Sequence, residues 1–196
     1  MLRQVTDAFG PLNLDLEDYF KELVSGLSIT ASLVCDENGS TIGKDGSSKG
    51  LGNQTDLALL IALRRKSQVV LTSGRTFRAD QYRFPKHSDL AVLSNVPVSI
   101  NVPAGQRLLE KKSGYTQALL ELKADGYSHI HVEYGLTGIS DLVANRVLDG
   151  LFLSSTTRAG LDKLALELGV SPVVVELSDL YVGLVAWQPK LAITAR

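Results

Sequence analysis

Two short stretches constrain the fold of this chain more than any other feature. Each is an apolar, β-branched run that stops at a glycine and continues into residues that favour a helix, at residues 70–80 and 130–137. A strand that enters a helix through a glycine turn leaves unpaired backbone N–H groups at one spot, which suits a phosphate. Two such turns in one domain predict a ligand with two phosphates, or a nucleotide facing a phosphorylated partner.

The composition indicates one globular domain with a full hydrophobic core. The chain has 196 residues, of which 44% are hydrophobic and 21% charged, and its formal net charge is −1. These values are typical of a soluble protein and give no bulk field that would attract nucleic acid or an acidic membrane. We therefore expect a cytoplasmic protein without a nucleic-acid partner.

The sequence offers little support for a metal site, a disulfide or a membrane segment. Cys35 is the single cysteine, and His129 and His131, two residues apart on a predicted strand, lack a third ligand nearby. Acidic residues interrupt the first twenty positions, so a signal peptide is not expected. No apolar run approaches the roughly 20 residues that span a bilayer. We expect no bound metal and no membrane association.

The hydrophobic patterns predict alternating strands and helices. Residues 36–53, rich in glycine, serine and aspartate, predict a long functional loop. The pattern indicates an α/β fold with a mostly parallel sheet and an antiparallel C-terminal edge, in one domain over residues 1–196 with an N-terminal helical extension at 1–26. Strands are predicted at 28–35, 68–72, 90–93, 98–102, 128–132, 150–154, 173–177 and 181–187, and helices at 13–25, 54–66, 113–125, 137–144 and 159–168.

Four motifs follow one another between about residues 29 and 153. They are a strand ending in Asn38-Gly39 before a glycine-serine loop, a helix led by Asp56 and ending in Leu63-Arg64, the turn Gly74-Arg75-Thr76-Phe77-Arg78, and the segment Glu133-Tyr134-Gly135-Leu136-Thr137 before a helix. In this order and spacing the chain resembles the pyrimidine reductases of riboflavin biosynthesis. The resemblance implies a dihydrofolate-reductase-like three-layer fold.

The resemblance also implies an activity and a cofactor. Such proteins bind NADPH across the carboxyl ends of the strands and reduce a ribosylaminopyrimidine phosphate to its ribityl form. By position, Gly74 and Thr76 would contact the cofactor at the first turn, Gly135 and Thr137 would contact its pyrophosphate, and Ser94 would lie near the adenosine ribose. These residue types suit the task, because glycine lets the backbone approach a phosphate and hydroxyls donate to it.

The substrate side of the site is assigned by the same resemblance. Asn38, or Asp36 if the alignment is shifted, would orient the substrate, and Ser48 would assist. Arg78 would add a charge-assisted contact to a phosphate. Glu133 would brace the second turn or contact substrate, although an ion pair with an arginine is an equally good interpretation.

Three residues depart from the family pattern at site positions. The family usually has aspartate where this chain has Asn38, glycine where it has Tyr134, and a small residue where it has Arg75. The tyrosine would block or redirect a ligand if close backbone approach is needed there. The arginine would bind a phosphate or fill the pocket.

Two alternatives to an active reductase therefore stay open. One is a catalytically inactive protein on the same scaffold that binds a nucleotide or phosphorylated metabolite, and the other is a purely structural dimeric module. Other nucleotide-binding and hydrolase motifs are absent from the sequence. The family resemblance implies a homodimer, and the apolar closing strands at 173–177 and 181–187 would offer an edge for it.

Overall fold

The structure, a computed structural model, describes residues 2–7 and 10–187, with side chains from Tyr19 to Trp187. In chain order the strands are β1 Leu2–Asp7, β2 Gly10–Asp15, β3 Ile29–Cys35, β4 Val69–Ser73, β5 Asp89–Leu93, β6 Leu108–Lys111, β7 Ile130–Glu133, β8 Gly150–Ser155, β9 Val173–Leu177 and β10 Tyr181–Ala186. The helices are α1 Leu16–Leu23, α2 Gln54–Lys66, α3 Gly74–Ala79, α4 Tyr115–Ala124, α5 Leu136–Ala144 and α6 Arg158–Leu168.

All ten strands belong to one sheet, in the order β2-β1-β9-β10-β8-β3-β7-β4-β5-β6. The six strands from β8 to β6 are parallel to one another. The strands from β10 to β2 pair antiparallel. The predicted α/β class, with a mostly parallel sheet and antiparallel C-terminal strands, is confirmed.

The two faces of the sheet carry separate apolar layers. On one face, alternate residues of β3 and β7 such as Ala31 and Val132 pack against α4, α5 and α6. On the other face, Phe152 of β8 packs with Phe20 of α1 and Leu59 of α2. Because successive strand residues point to opposite faces, this alternation produces the expected three-layer arrangement.

The N-terminal segment differs from the predicted helical extension at 1–26. Residues 2–7 and 10–15 form a β-hairpin, and β1 pairs with β9, so that the sheet is two strands longer than expected. The predicted helix at 13–25 is shorter, since α1 begins at Leu16. The segment Leu12-Asn13-Leu14-Asp15 alternates apolar and polar residues, which is the strand period, and this signal competed with the helical spacing.

The hairpin also covers the sheet edge that the closing strands were expected to offer to a dimer partner. β10 lies inside the sheet between β8 and β9, and β9 is covered by β1. The closing strands therefore do not provide an edge for a dimer partner. The outer strands of the described sheet are β2 and β6 instead.

The predicted strand at 98–102 is wrong. These residues have no regular structure, and the strand that pairs with β5 is Leu108–Lys111. Pro97 and Pro103 flank the predicted segment and remove backbone donors from it. The charged residues Glu110 and Lys111 weakened the strand signal of β6, which lies at the edge of the sheet and is only partly buried.

Close packing between α6 and the end of β3 gives a stability prediction. A Cβ on Gly160 would overlap the carbonyl oxygen of Asp36. We expect Gly160→Ala to destabilise the fold by about 1–3 kcal/mol through overpacking. Gly114→Ala is the control, because a Cβ there meets no atom within 4 Å. Urea unfolding curves of both variants measure the difference, and equal stability of the two would contradict the packing seen here.

Candidate functional site

A cavity of about 320 Å³ opens on the α2 side of the sheet, where the central parallel strands end. Its walls come from β3, α2, the loop that contains residues 41–48, α3, the N-termini of α4 and α5, and the ends of β7 and β8. A crevice outside the carboxyl ends of parallel strands is the usual ligand site of an open α/β sheet. Both glycine turns found in the sequence lie at this crevice.

The second glycine turn presents an open helix N-terminus to the cavity. Gly135 is the N-cap of α5, and no side chain caps the first N–H groups of that helix. Apart from its chain neighbours, the nearest atom to a Cβ built on Gly135 is Thr76 Oγ1, at 4.0 Å. Gly135, Thr76 and Thr137 all line the cavity. The predicted trio is therefore brought together around a space that a phosphate oxygen fits.

One cationic side chain lines the same cavity as this helix N-terminus. Arg75 is exposed and lines the cavity, and it is the one cationic side chain among the described lining residues. Ser73 caps α3 by accepting the N–H of Thr76 at 3.1 Å, and it donates its own proton to Thr76 Oγ1 at 3.0 Å. The hydroxyl proton of Thr76 is thus left to donate elsewhere. Arg75 and Thr76 together give this end of the cavity an affinity for anions.

Gly74, Ser94 and Arg78 lie behind the cavity wall and contact one another. A Cβ on Gly74 would come within 2.5 Å of Ser94 Oγ, so the glycine lets α3 pack against the end of β5. Ser94 Oγ donates to the carbonyl of Val96 at 2.8 Å, and Arg78 Nη1 lies 3.4 Å from Ser94 Oγ. None of the three is among the residues that line the cavity. Their contacts are structural, and their roles toward a ligand stay predictions.

Asp36 and Asn38 form a turn outside the cavity. Asp36 Oδ1 accepts the backbone N–H groups of Asn38 at 2.8 Å and Ser40 at 2.9 Å. Asn38 is exposed, and the following Gly39 packs against Lys163 of α6. The structure does not bring either candidate substrate residue to the cavity. The replacement of the family's aspartate by Asn38 therefore changes a surface turn.

Ser48 lines the cavity and is hydrogen-bonded to Asp80, a residue to which the sequence assigned no role. Its N–H and its hydroxyl donate to the two carboxylate oxygens of Asp80, each at 2.8 Å. Asp80 also lines the cavity and follows α3 directly. This pair fastens the glycine-serine loop to the end of α3. Asp80 is the last residue of the first glycine-turn stretch, and this position was the only sequence feature that could have pointed to it.

Glu133 is the acceptor of a partly buried ion pair, with side-chain exposures of 26% for Arg64 and 11% for Glu133. Arg64 donates from Nε to Oε1 at 2.6 Å and from Nη2 to Oε2 at 2.7 Å, and the Tyr82 hydroxyl donates to Oε2 at 2.5 Å. Burial by itself would raise the pKa of Glu133, but the hydrogen bonds and charge of Arg64 lower it. Glu133 is thus held ionised. The geometry favours the bracing role and the ion-pair interpretation over proton transfer.

Asp56 is a third carboxyl at the cavity, beside Asp80 and Glu133, and the sequence assigned it only a place in the second family motif. It accepts a hydrogen bond from Ser154 Oγ at 2.5 Å, and a Cβ on Gly52 would overlap its carboxyl group. Burial raises the pKa of Asp56, the Ser154 hydrogen bond opposes this, and the charge of Glu133 adds to it. Among the described residues it has no ion pair. Two neighbouring carboxyls with pKa values moved in opposite directions are typical of an acid–base site.

Tyr134 does not block the N-terminus of α5, although its replacement of the family's glycine predicted that it would block or redirect a ligand. Its side chain is 2% exposed and belongs to the core cluster that packs on α4 and α5. The ring lies edge-on to Tyr115 at 5.0 Å between centroids, in the space that Gly138 leaves open. The tyrosine therefore packs beneath α5, and the gap between Gly135 and Thr76 persists.

Within the described part of the chain, no cluster of three or more histidine, cysteine, aspartate or glutamate side chains is arranged to hold a metal ion. Residues 2–7 and 10–187 also contain no helix whose length and apolar character would let it cross a membrane.

The Arg64–Glu133 pair gives a stability prediction with a defined pH dependence. Arg64→Met leaves the buried Glu133 without its cation, and we expect a loss of about 3–5 kcal/mol at neutral pH. A carboxyl with a lowered pKa contributes stability above its unfolded pKa and loses it as pH falls through the folded pKa. The difference from the wild type should therefore shrink in acid. Urea unfolding from pH 7 to pH 4 measures it.

Arg158→Met is the control for this experiment. Arg158 forms an exposed i,i+4 pair with Asp162, at 2.8 Å, and both side chains are more than half exposed. Exposed pairs of this kind contribute about 0.3–0.5 kcal/mol. A loss in Arg64→Met no larger than in Arg158→Met would show that Glu133 does not depend on its partner.

Solved structures identify the fold of this chain, whereas comparisons of its sequence find no match. No protein-family model matches the chain, and no curated protein matches it. Solved structures do match. A pyrimidine reductase-like protein from Corynebacterium diphtheriae is 15% identical with a TM-score of 0.59, over 85% of this chain and 98% of that one. A candidate riboflavin biosynthesis protein from Shewanella sp. PV-4 is 14% identical with a TM-score of 0.57, over 80% and 97%.

A third structure joins two enzymes in one chain. It is a diaminohydroxyphosphoribosylaminopyrimidine deaminase/5-amino-6-(5-phosphoribosylamino)uracil reductase from Thermotoga maritima, 14% identical with a TM-score of 0.57. The match covers 87% of this chain and 59% of that chain. The chain thus shares the α/β fold of these three solved structures.

Proposed function

We propose that this protein is an NADPH-dependent reductase of a ribosylaminopyrimidine phosphate. The observation that carries the proposal is the polarity of the cleft at the strand ends. One end has an open helix N-terminus, two threonines and Arg75, and the other has the carboxyl of Asp56. A phosphate-bearing cofactor fits the first end, and a heterocycle with polar ring atoms fits the second. The shared fold with pyrimidine reductase-like proteins supports the same activity.

The anion end fits the pyrophosphate of a dinucleotide. Free N–H groups of α5 and the positive end of its dipole favour negative charge at Gly135. The hydroxyls of Thr76 and Thr137 would donate to phosphate oxygens, and Arg75 would add a charge-assisted hydrogen bond. Because Gly135 lacks a side chain, a phosphate oxygen can approach the backbone there.

The acid end fits a proton-dependent reduction. Bound NADPH would supply the hydride, and the reaction also consumes a proton. Asp56 keeps its proton to higher pH than an ordinary carboxyl, because it is buried beside the ionised Glu133. It lies at the cavity with Ser154 fixing one of its oxygens. Asp56 would hydrogen-bond the heterocycle and act as the general acid.

The inactive nucleotide-binding alternative receives less support from the geometry. It depended on Asn38 and Tyr134 as degraded site residues. Asn38 lies on a surface turn, and the ring of Tyr134 packs into the core. Neither substitution closes the cavity. The homodimer that the family resemblance implies stays a prediction.

Gly135→Val tests the cofactor end. A branched side chain at this N-cap would enter the gap in front of Thr76, so we expect NADPH affinity to fall at least tenfold. Gly114→Val is the matched control, because Gly114 is also an N-cap without a side-chain cap bond, with φ −71° and ψ 170° against −70° and 175° for Gly135. Fluorescence titration with NADPH, and with NADH for comparison, measures binding. Unchanged affinity in Gly135→Val would mean that the turn is only structural.

Asp56→Asn tests the acid end. The amide keeps the shape and a hydrogen-bonding capacity but cannot supply a proton, and we expect kcat to fall by about 10²–10⁴-fold with NADPH affinity unchanged. In the wild type, kcat should fall as pH rises through the raised pKa of Asp56, because the protonated form is active. Absorbance assays with NADPH and 5-amino-6-(5-phosphoribosylamino)uracil measure both effects. Full activity of the variant would remove Asp56 from the mechanism.

A further inference from the structure

His131 is a buried histidine that the proposed function leaves unused. It lies on β7 directly beside Thr30 of the parallel strand β3, and its side chain is fully buried. Its two ring nitrogens each contact a hydroxyl. Nδ1 is 2.9 Å from Thr30 Oγ1, and Nε2 is 3.1 Å from Ser32 Oγ. Of these three residues, Ser32 lines the cavity.

The surroundings of His131 determine where its proton sits. Burial lowers the pKa of His131 to about 4, so the ring is neutral near pH 7 and one nitrogen donates while the other accepts. Glu133 Oε1, ionised by its pairing with Arg64, lies 3.7 Å from Nε2. This distance is too long for a hydrogen bond. The Thr30 backbone also acts on the ring, but the negative charge of Glu133 is the larger influence and favours the proton on Nε2. We assign the Nε2–H tautomer on this basis.

The tautomer gives the hydroxyl chain a direction. With the proton on Nε2, Thr30 Oγ1 donates to Nδ1, and Nε2–H donates to Ser32 Oγ. Ser32 Oγ then accepts from the histidine with one lone pair, and its own hydroxyl proton remains to be donated. Among the described residues Ser32 has no hydrogen-bond partner other than His131. Because Ser32 lines the cavity, this proton is available to an acceptor there.

We propose that Ser32 donates a hydrogen bond to a carbonyl oxygen of the bound ligand, and that His131 is the positioning residue that fixes the direction of this donor. The inference rests on the proposed function. A carbonyl acceptor could come from the carboxamide of the nicotinamide ring or from the pyrimidine ring of the substrate. A serine without the histidine could rotate and present a lone pair instead, which would repel the same oxygen.

Binding titrations with Ser32→Ala separate the two carbonyl sources. The probes are NADPH, adenosine 2′,5′-bisphosphate, which lacks the nicotinamide, and 5-amino-6-(5-phosphoribosylamino)uracil. If Ser32 contacts the carboxamide, the variant should lose about tenfold in NADPH affinity and nothing for the bisphosphate. If it contacts the pyrimidine, the loss should appear with that probe alone. Unchanged affinity for all three probes, or an equal loss for all three, would overturn the inference.

Thr72→Val is the matched control for removal of a buried hydroxyl. Thr72 also lies at the end of a central strand, but it donates to the backbone carbonyl of Glu133 at 2.9 Å and does not line the cavity. We expect its titrations to match the wild type. A loss equal to that of Ser32→Ala would assign both effects to general damage of the sheet and so contradict a ligand contact.

His131 variants test the positioning role. His131→Gln keeps a side-chain N–H that can donate to Ser32, whereas His131→Leu removes every donor. We expect the leucine variant to bind as weakly as Ser32→Ala and the glutamine variant to recover affinity. In the Ser32→Ala background neither should add a further loss, because the histidine acts through the serine. Thermal unfolding followed by circular dichroism verifies that each variant is folded at the titration temperature.

The outcomes also distinguish this inference from the function on which it rests. A wild-type protein that binds neither NADPH nor the pyrimidine would overturn the proposed function and this inference together. A wild type that binds, with Ser32→Ala and His131→Leu unaffected, would overturn this inference alone. Additive losses in the double variants would retain the Ser32 contact but remove His131 as its positioning residue.

Discussion

The ion pair between Arg64 and Glu133 is the constraint on which the site depends. It joins the last turn of α2 to the end of β7, and Tyr82 extends it to the segment after α3. A carboxylate buried without a cation is costly, so the paired arginine and the tyrosine hydroxyl are both required by its position. Because the pair fixes α2 against the sheet, it fixes the wall of the cavity that α2 forms.

The same pair sets the electrostatics of the neighbouring groups. Glu133 stays ionised because Arg64 neutralises it, and its charge then acts on two groups nearby. Burial raises the pKa of Asp56, and this charge adds to it. The same charge favours the Nε2 proton on His131. One partly buried ion pair thus acts on both the proposed acid and the proposed positioning residue. Neither effect needs a further charged group inside the sheet.

The glycines at the site serve two different physical purposes. Gly74 and Gly138 leave room for side chains of the protein, namely Ser94 and the ring of Tyr134. The space in front of Gly135 is open. Apart from its chain neighbours, the nearest atom to a Cβ built there is Thr76 Oγ1, at 4.0 Å. Only the last of these is an opening toward a ligand. A glycine motif therefore identifies where the chain turns, and the packing around each glycine decides whether the space is for the protein or for a partner.

The sequence by itself determined the α/β class, the parallel central strands, both glycine turns and the resemblance to pyrimidine reductases, because these depend on local periodicity and turn residues. The resemblance implied Thr76, Gly135 and Thr137 as site residues, and all three line the cavity. Only the tertiary structure decided that Asp36 and Asn38 lie outside the cavity while Asp56, Asp80 and Ser32 line it. Burial and charge pairing arise between residues distant along the chain, such as Arg64 and Glu133, and no local pattern encodes which distant residues will meet.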